Sequence, residues 1–221
     1  MVVSMLLARH GETPDNAHGL ILGRHDPSLS SVGREQSARL AARVAADALA
    51  AIWCSPLLRA RQTAAIVAEA IGVEPTVLED LIESDRGSWE GRPVAELAAT
   101  SPGLFAAFEA AEQNFVFPEG ESIAQQVERT LRALNVVAAG PTPALVVAHA
   151  GTIRAALIAV GRPPPPERAL PHGEAIRLSW PAPGALAAVE QRQGKSWLER
   201  AARVLVHGRI LQRRADRSDR T

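Results

Sequence analysis

Two arginines, two histidines and one glutamate stand where this chain could do chemistry. Arg9 and His10 end a nearly continuous apolar run from Val2 to Ala8. Ser55 and Arg59 follow Ala51-Ile52-Trp53-Cys54, Glu83 follows the stretch from Glu74 to Leu81, and His149 follows Ala144 to Ala148. A guanidinium forks onto phosphate oxygens in pairs and stays charged at neutral pH. Two of them with two imidazoles make a pocket for a phosphoryl group. If that group moves onto the protein, one histidine must supply a lone pair. Nearby arginines depress its pKa and keep it neutral and nucleophilic. A glutamate can protonate the departing oxygen and later activate water. No cluster with metal-ligand spacing accompanies the set, so charge neutralisation rests on arginine.

The elements that position these groups read as strands alternating with helices. That pattern predicts an α/β fold: a single three-layer domain, a mostly parallel central sheet with helices on both faces. In open sheets of this kind ligands bind at the carboxyl ends of the strands, where these residues fall. Ser30 and Ser31 can cap a helix running to about Ala50, with Val32, Leu40 and Val44 on one face. Arg59 to Ile71 reads as a helix closed by Gly72. Pro93 and Gly103 open two short helical segments. Ser122 with Gln125 makes a capping box for a helix carrying Ile123, Val127, Leu131 and Leu134. Thr152 to Val160 is the last clear helix. Ala175 to Trp180 and Leu186 to Val189 suggest a hairpin, and Trp197 to Val206 reads equally as helix or strand. We expect one domain over 1–206 and a polar, arginine-rich, flexible tail over 207–221.

Composition narrows the function classes. The 221 residues carry 24 basic and 24 acidic side chains, without the basic excess of a nucleic-acid or membrane-surface binder. No apolar run approaches the roughly 20 residues of a membrane span, and no signal peptide is evident. The single Cys54 can form no internal disulfide. A cytoplasmic location is the expectation, with no nucleic-acid or membrane partner and a homodimer left open.

The motifs resemble the histidine phosphatase superfamily, which includes cofactor-dependent phosphoglycerate mutases. Leu7-Ala8-Arg9-His10-Gly11-Glu12-Thr13 resembles its Arg-His-Gly signature. Gly23-Arg24-His25-Asp26-Pro27-Ser28-Leu29-Ser30 resembles its early loop, and Ser55-Pro56-Leu57-Leu58-Arg59 its second-arginine block. Leu81-Ile82-Glu83 with Gly87-Ser88-Trp89-Glu90-Gly91 resembles the acid block, and Val146-Val147-Ala148-His149-Ala150-Gly151 the second-histidine block. Pro118-Glu119-Gly120-Glu121-Ser122 is a further familiar segment. By that resemblance His10 is the nucleophile that becomes phosphohistidine. Arg9, Arg59 and His149 hold the phosphoryl oxygens, Glu83 is the proton donor, and Asn16, Gly23 and Ala150 bind substrate. No metal and no cofactor are expected. Ala150-Gly151 replaces the frequent Gly-Gly, but alanine still presents its backbone N–H to phosphate.

Several neighbours have two readings. Asp85 competes with Glu83 for the acid role. Glu12 caps or orients. His25 and His172 line the pocket or stand apart from it. Phe105, Phe108, Phe115 and Phe117 roof the site or pack helices, and Trp89 packs beneath the acid loop. Cys54 is inert core and Arg61 lies at the surface. Between Glu83 and His149 there is no lysine and no tyrosine. Of its arginines, Arg129 and Arg132 are expected to face solvent, leaving Arg86 and Arg92 near the acid loop. These points favour hydrolysis of a small phosphorylated metabolite. A phosphoglycerate mutase and a protein phosphohistidine phosphatase are the alternatives.

Overall fold

The computed structural model describes residues 2–112 and 114–181. In chain order the elements are β1 (Val2–Arg9), α1 (Pro14–Ala17), α2 (Ser31–Val44), β2 (Ala51–Cys54), α3 (Leu58–Ile71), β3 (Pro75–Val77), α4 (Val94–Thr100), α5 (Pro102–Glu109), α6 (Ile123–Ala139), β4 (Ala144–Ala148), α7 (Ala150–Ala159) and β5 (Ala175–Pro181). The sheet order is β3-β2-β4-β1-β5. All neighbours are parallel except the β1–β5 pair. The expected α/β class and three-layer architecture therefore hold. The second strand of the expected hairpin, the segment 197–206 and the tail lie outside the described residues.

Each sheet face has its own helices. Leu6, Ala8, Leu145 and Val147 pack with Leu40, Val44 and Val67 of α2 and α3. Met5, Leu7, Val146 and Ala148 pack on the other face with Leu134, Val137 and Ile153 of α6 and α7. The period-two alternation of β1 and β4 feeds both cores, which is why both runs read as nearly continuous apolar stretches. β4 is buried throughout.

The expected capping residues are present. Ser30 caps α2, Gly72 closes α3 in the left-handed region, and Ser122 with Gln125 forms the reciprocal box of α6. Four expectations change. α2 ends at Val44, with a 3-10 turn over Ala45–Asp47, short of the expected Ala50. Val32 is exposed, because the α2 face that turns inward is Gly33, Ser37, Leu40, Ala41 and Val44. Gly33 lies against the backbone of Glu12, where any side chain would collide. The strand expected from Glu74 shrinks to Pro75–Val77, and Glu79–Leu81 turns as a short 3-10 helix toward Glu83. Arg129 is buried rather than solvent-facing: its guanidinium donates to the carbonyls of Asp80 and Ile82 and pairs with Glu121.

Candidate active site

Register brings the strand-end residues together. Arg9 pairs with Ala148 across β1–β4, and Cys54 with Val147 across β2–β4. The ladder then runs one residue past the strands: His10 N–H donates to Ala148 at 3.0 Å, and Ser55 N–H to Val147 at 3.0 Å. His10, Ser55 and His149 thus emerge at one sheet edge. The His10 and His149 rings are 5.2 Å apart.

Hydrogen bonds set the His10 tautomer. Its Nδ1 lies 2.7 Å from the Gly11 carbonyl, an acceptor only, so Nδ1 carries the proton. Nε2 then keeps a lone pair, which accepts from Arg59 Nε at 3.2 Å. Burial, with Arg59, His149 and Arg9 nearby, holds the His10 pKa well below the ordinary histidine value. His149 Nε2 meets Ser55 Oγ at 2.7 Å, while its Nδ1 is buried without a partner among the described residues. Burial and then Arg59 depress the His149 pKa likewise.

The arginines are pinned by carbonyls. Arg59, 1% exposed, donates to the carbonyls of Gly23 at 2.8 Å and His25 at 2.7 Å and lies 3.4 Å from Asp26, which leaves its Nε–H aimed at His10. Arg9 Nη1 donates to Leu170 at 2.5 Å. Asn16 accepts from Thr13 N–H at 3.2 Å, so its amide NH₂ is left for the cavity it lines. Gly23 and Ala150 line the same cavity. Ala150 opens α7, whose N-terminal amide groups face the sheet edge, a place that favours an anion.

Glu83 is buried behind this set. One carboxylate oxygen accepts from Ser84 N–H and from Gln126 Nε2, each at 2.8 Å. The other accepts from Gly151 N–H at 3.2 Å and lies 3.4 Å from Arg86. A side chain at Gly151 would strike Glu83 and Gln126, so the glycine permits this approach. Burial pushes the Glu83 pKa up, but Arg86, Arg59 and the two backbone N–H donors outweigh it and hold it below the ordinary value. Asp85 instead accepts from Gly87 N–H and pairs with Arg24 toward the outside.

Arg9, His10, Asn16, Gly23, Arg59, Glu83, Arg86 and Ala150 line one cavity of about 300 Å³, whereas His149 is fully buried and does not reach its lining. Its lining also combines the apolar Leu20, Leu22, Val94, Phe105 and Phe108 with the charged Glu109, Glu167 and Arg168. Phe115 and Phe117 do not reach the cavity; they pack with Trp89 and Phe108 in a third core, where Trp89 is 2% exposed. His172 does line the cavity, 5.5 Å from the His10 ring, and burial lowers its pKa to about 3. His25 is largely exposed and contributes its carbonyl to Arg59. Arg61 is exposed, and Glu12 accepts from Ser30 as an orienting group. Cys54 is buried, and burial raises its pKa to about 11.

A family model described as the histidine phosphatase superfamily (branch 1) matches residues 5–181. The chain belongs to the histidine phosphatase superfamily. A metal-independent phosphoserine phosphatase of Arabidopsis thaliana is 34% identical over 160 residues, covering 70% of this chain and 67% of the relative. A probable phosphoglycerate mutase of Yersinia enterocolitica is 34% identical over 173 residues, covering 76% and 80%. The crystal structure of a mycobacterial glucosyl-3-phosphoglycerate phosphatase superposes with a TM-score of 0.70 at 26% identity, covering 81% of this chain and 91% of that one. Mycobacterium tuberculosis relatives at 35% identity are longer proteins, of which the match spans 42%.

For this member of the superfamily, three site groups escaped the sequence reading: Gln126 on Glu83, the buried Arg154 and the half-buried Glu167. Ser55 as the partner of His149 and Arg86 as the partner of Glu167 were read without these contacts. Arg86 Nη2 donates to Glu167 at 2.7 Å, and Arg154 Nη1 lies 3.8 Å from the same carboxylate oxygen. Arg86 was visible only as an arginine beside the acid loop. Nothing local marks Gln126, Arg154 or Glu167. Among the described residues no group of three or more histidine, cysteine or acidic side chains is placed to hold a metal ion, and no helix is long and apolar enough to cross a membrane.

Proposed function

We propose that this histidine phosphatase superfamily member is a metal-independent phosphomonoesterase acting on a small phosphorylated metabolite through a phosphohistidine. The observation that carries the reading is the His10 tautomer: Nδ1–H tied to Gly11, with the Nε2 lone pair beside the Arg59 guanidinium. The family and its phosphatase-named relatives support an enzyme of this class.

The phosphoryl group sits among Arg9, Arg59, His149, the Asn16 amide and the Ala150 N–H. His10 Nε2 attacks phosphorus, and the bond from phosphorus to the alcohol oxygen breaks. Glu83 gives that oxygen its proton. Water then attacks the phosphohistidine, Glu83 takes a proton back, and inorganic phosphate leaves with His10 restored. Arginine charge favours the ionised form of the Glu83 carboxyl. A bound phosphoryl dianion neutralises that charge and raises the carboxyl pKa, so the donor is loaded when substrate arrives. Charge on the transferred group is offset by Arg9 and Arg59.

The apolar lining residues Leu20, Leu22, Val94, Phe105 and Phe108 favour a substrate body with an apolar face. Phosphoglycerate isomerisation, the activity named for the Yersinia relative, is the second reading. The test is phosphate release from a panel of phosphorylated metabolites in chelator, beside phosphoglycerate isomerisation with and without a bisphosphoglycerate primer. We expect hydrolysis to be unaffected by chelator and to exceed isomerisation. Isomerisation faster than every hydrolysis, or activity that needs added metal, overturns the reading.

A further inference from the structure

Glu167 lies on the short turn after α7, 84 positions from the acid, yet it shares a partner with it. Arg86 Nη2 is 2.7 Å from Glu167 Oε2 and 3.4 Å from Glu83 Oε2. One guanidinium nitrogen therefore serves two carboxylates. Arg86 is 3% exposed, and its guanidinium carbon lies 5.3 Å from the ring centres of both Phe108 and Phe117. Those rings keep it from swinging clear. Arg154 is fixed as well: it donates to the carbonyls of Phe108 and Glu109 at 2.8 Å and flanks Glu167.

We propose that Glu167 is a positioning residue for the proton donor: by holding Arg86 it limits that guanidinium's grip on Glu83 and keeps the Glu83 carboxyl able to take a proton. The proposal rests on Glu83 being the acid. The charges facing Glu83 are Arg86 from its own loop, Arg59 from α3, Arg9 from β1 and Arg154 from α7. Neutral donors are the N–H groups of Ser84 and Gly151 and the Gln126 amide of α6. Arg86 is faced by Glu167, Glu83 and Glu90, and by the like charges Arg9, Arg59 and Arg154. Glu167 offsets this cationic excess beside the donor. Without it Glu83 loses a like charge and gains the whole of Arg86, and both changes favour the ionised carboxylate.

The experiment follows the Glu83 carboxyl directly by carbon-13 NMR titration, with E83Q assigning the signal, alongside the pH profile of kcat for an alkyl phosphate. E167Q is expected to move the Glu83 midpoint and the basic limb of kcat down by about one pH unit, the low end for a close charge. R86Q moves both up by about the same amount, and R86K, which keeps the charge, stays near wild type. With an activated aryl phosphate, whose leaving group needs no proton, E167Q leaves that limb in place. An unmoved or raised Glu83 midpoint in E167Q overturns the proposal. So does an equal fall of kcat at every pH with both substrates, the mark of a merely structural role. If R86Q does not fold, the sign of the E167Q shift decides. If E83Q leaves alkyl phosphate turnover intact, it is the acid reading that fails, while the NMR midpoint still judges Glu167.

Discussion

The phosphoryl end of the cavity and its aromatic roof are built by different physics. At the phosphoryl end every charged group is held by hydrogen bonds with direction: Arg59 by the carbonyls of Gly23 and His25, His10 by Gly11, Glu83 by Ser84, Gly151 and Gln126. Buried charge tolerates little else, because an unpaired partner costs several kcal/mol. The roof is held by contact area. Phe105 and Phe108 line the cavity, and behind them Trp89 packs among these two, Phe115 and Phe117 with ring centres 5.6 to 6.3 Å away. Such packing accepts many combinations of similar volume. In the proposed reading the phosphoryl end carries the reaction and tolerates little substitution, while the roof meets the substrate body and tolerates more.

His10→Ala gives the sharpest contrast between the two. It removes the attacking lone pair, so turnover should vanish and no acid-labile phosphate should be trapped, while the roof and fold remain. Full activity in this variant would end the covalent mechanism. Next comes Glu83→Gln, expected to lower kcat about 10²–10⁴-fold for alkyl phosphates, the range of general acid catalysis, and less for an activated aryl phosphate. Asp85→Asn should leave that pattern unchanged. If Asp85→Asn shows the leaving-group dependence and Glu83→Gln does not, the two carboxylates exchange roles.

Stability should also depend on the phosphoryl end. The pKa of His172 is depressed by burial to about 3, and those of His10 and His149 lie well below the ordinary value. In the unfolded chain each titrates near about 6.5. Below that pH the unfolded state takes up protons that the folded state refuses, so stability is present above it and lost as pH falls. Each histidine contributes a slope of about 1.4 kcal/mol per pH unit until its folded pKa is reached. Denaturant unfolding between pH 7 and pH 5 should show this loss, and His172→Gln should flatten the slope by one histidine's share. A slope unchanged in that variant would mean that His172 is not neutral in the folded protein.

The roof should respond least. Phe105→Ala removes part of the apolar wall, and kcat/KM should fall about tenfold through KM, as for other lost apolar contacts. Phosphohistidine formation at saturation should persist. A collapse of kcat instead would show that the roof orients the reacting groups, and would erase the contrast with the phosphoryl end.

Legibility in the sequence followed the same division. Arg9, His10, Arg59 and His149 could be read because each ends a strand or opens the helix after one, and the register of parallel strands carries such positions to one edge. The capping residues Ser30 and Ser122 and the closing Gly72 were readable because their hydrogen bonds are local. Arg129 misled, since a helix face says where a residue points but not that the carbonyls of Asp80 and Ile82 wait there. His172 and Glu167 reach the cavity from a loop whose path no periodicity encodes.

The sequence by itself determined the α/β order of elements, the strand-end groups and the family to which they point. Those properties depend on residues within a few positions of one another and on the alternation of apolar side chains. The tertiary structure alone decided which His10 nitrogen is free, which carboxylate is buried beside the reacting end, and that Arg86 is divided between Glu83 and Glu167. Each of these turns on a hydrogen bond or charge contact that long-range packing brings within about 4 Å, a range at which burial makes electrostatics strong and which local sequence does not specify.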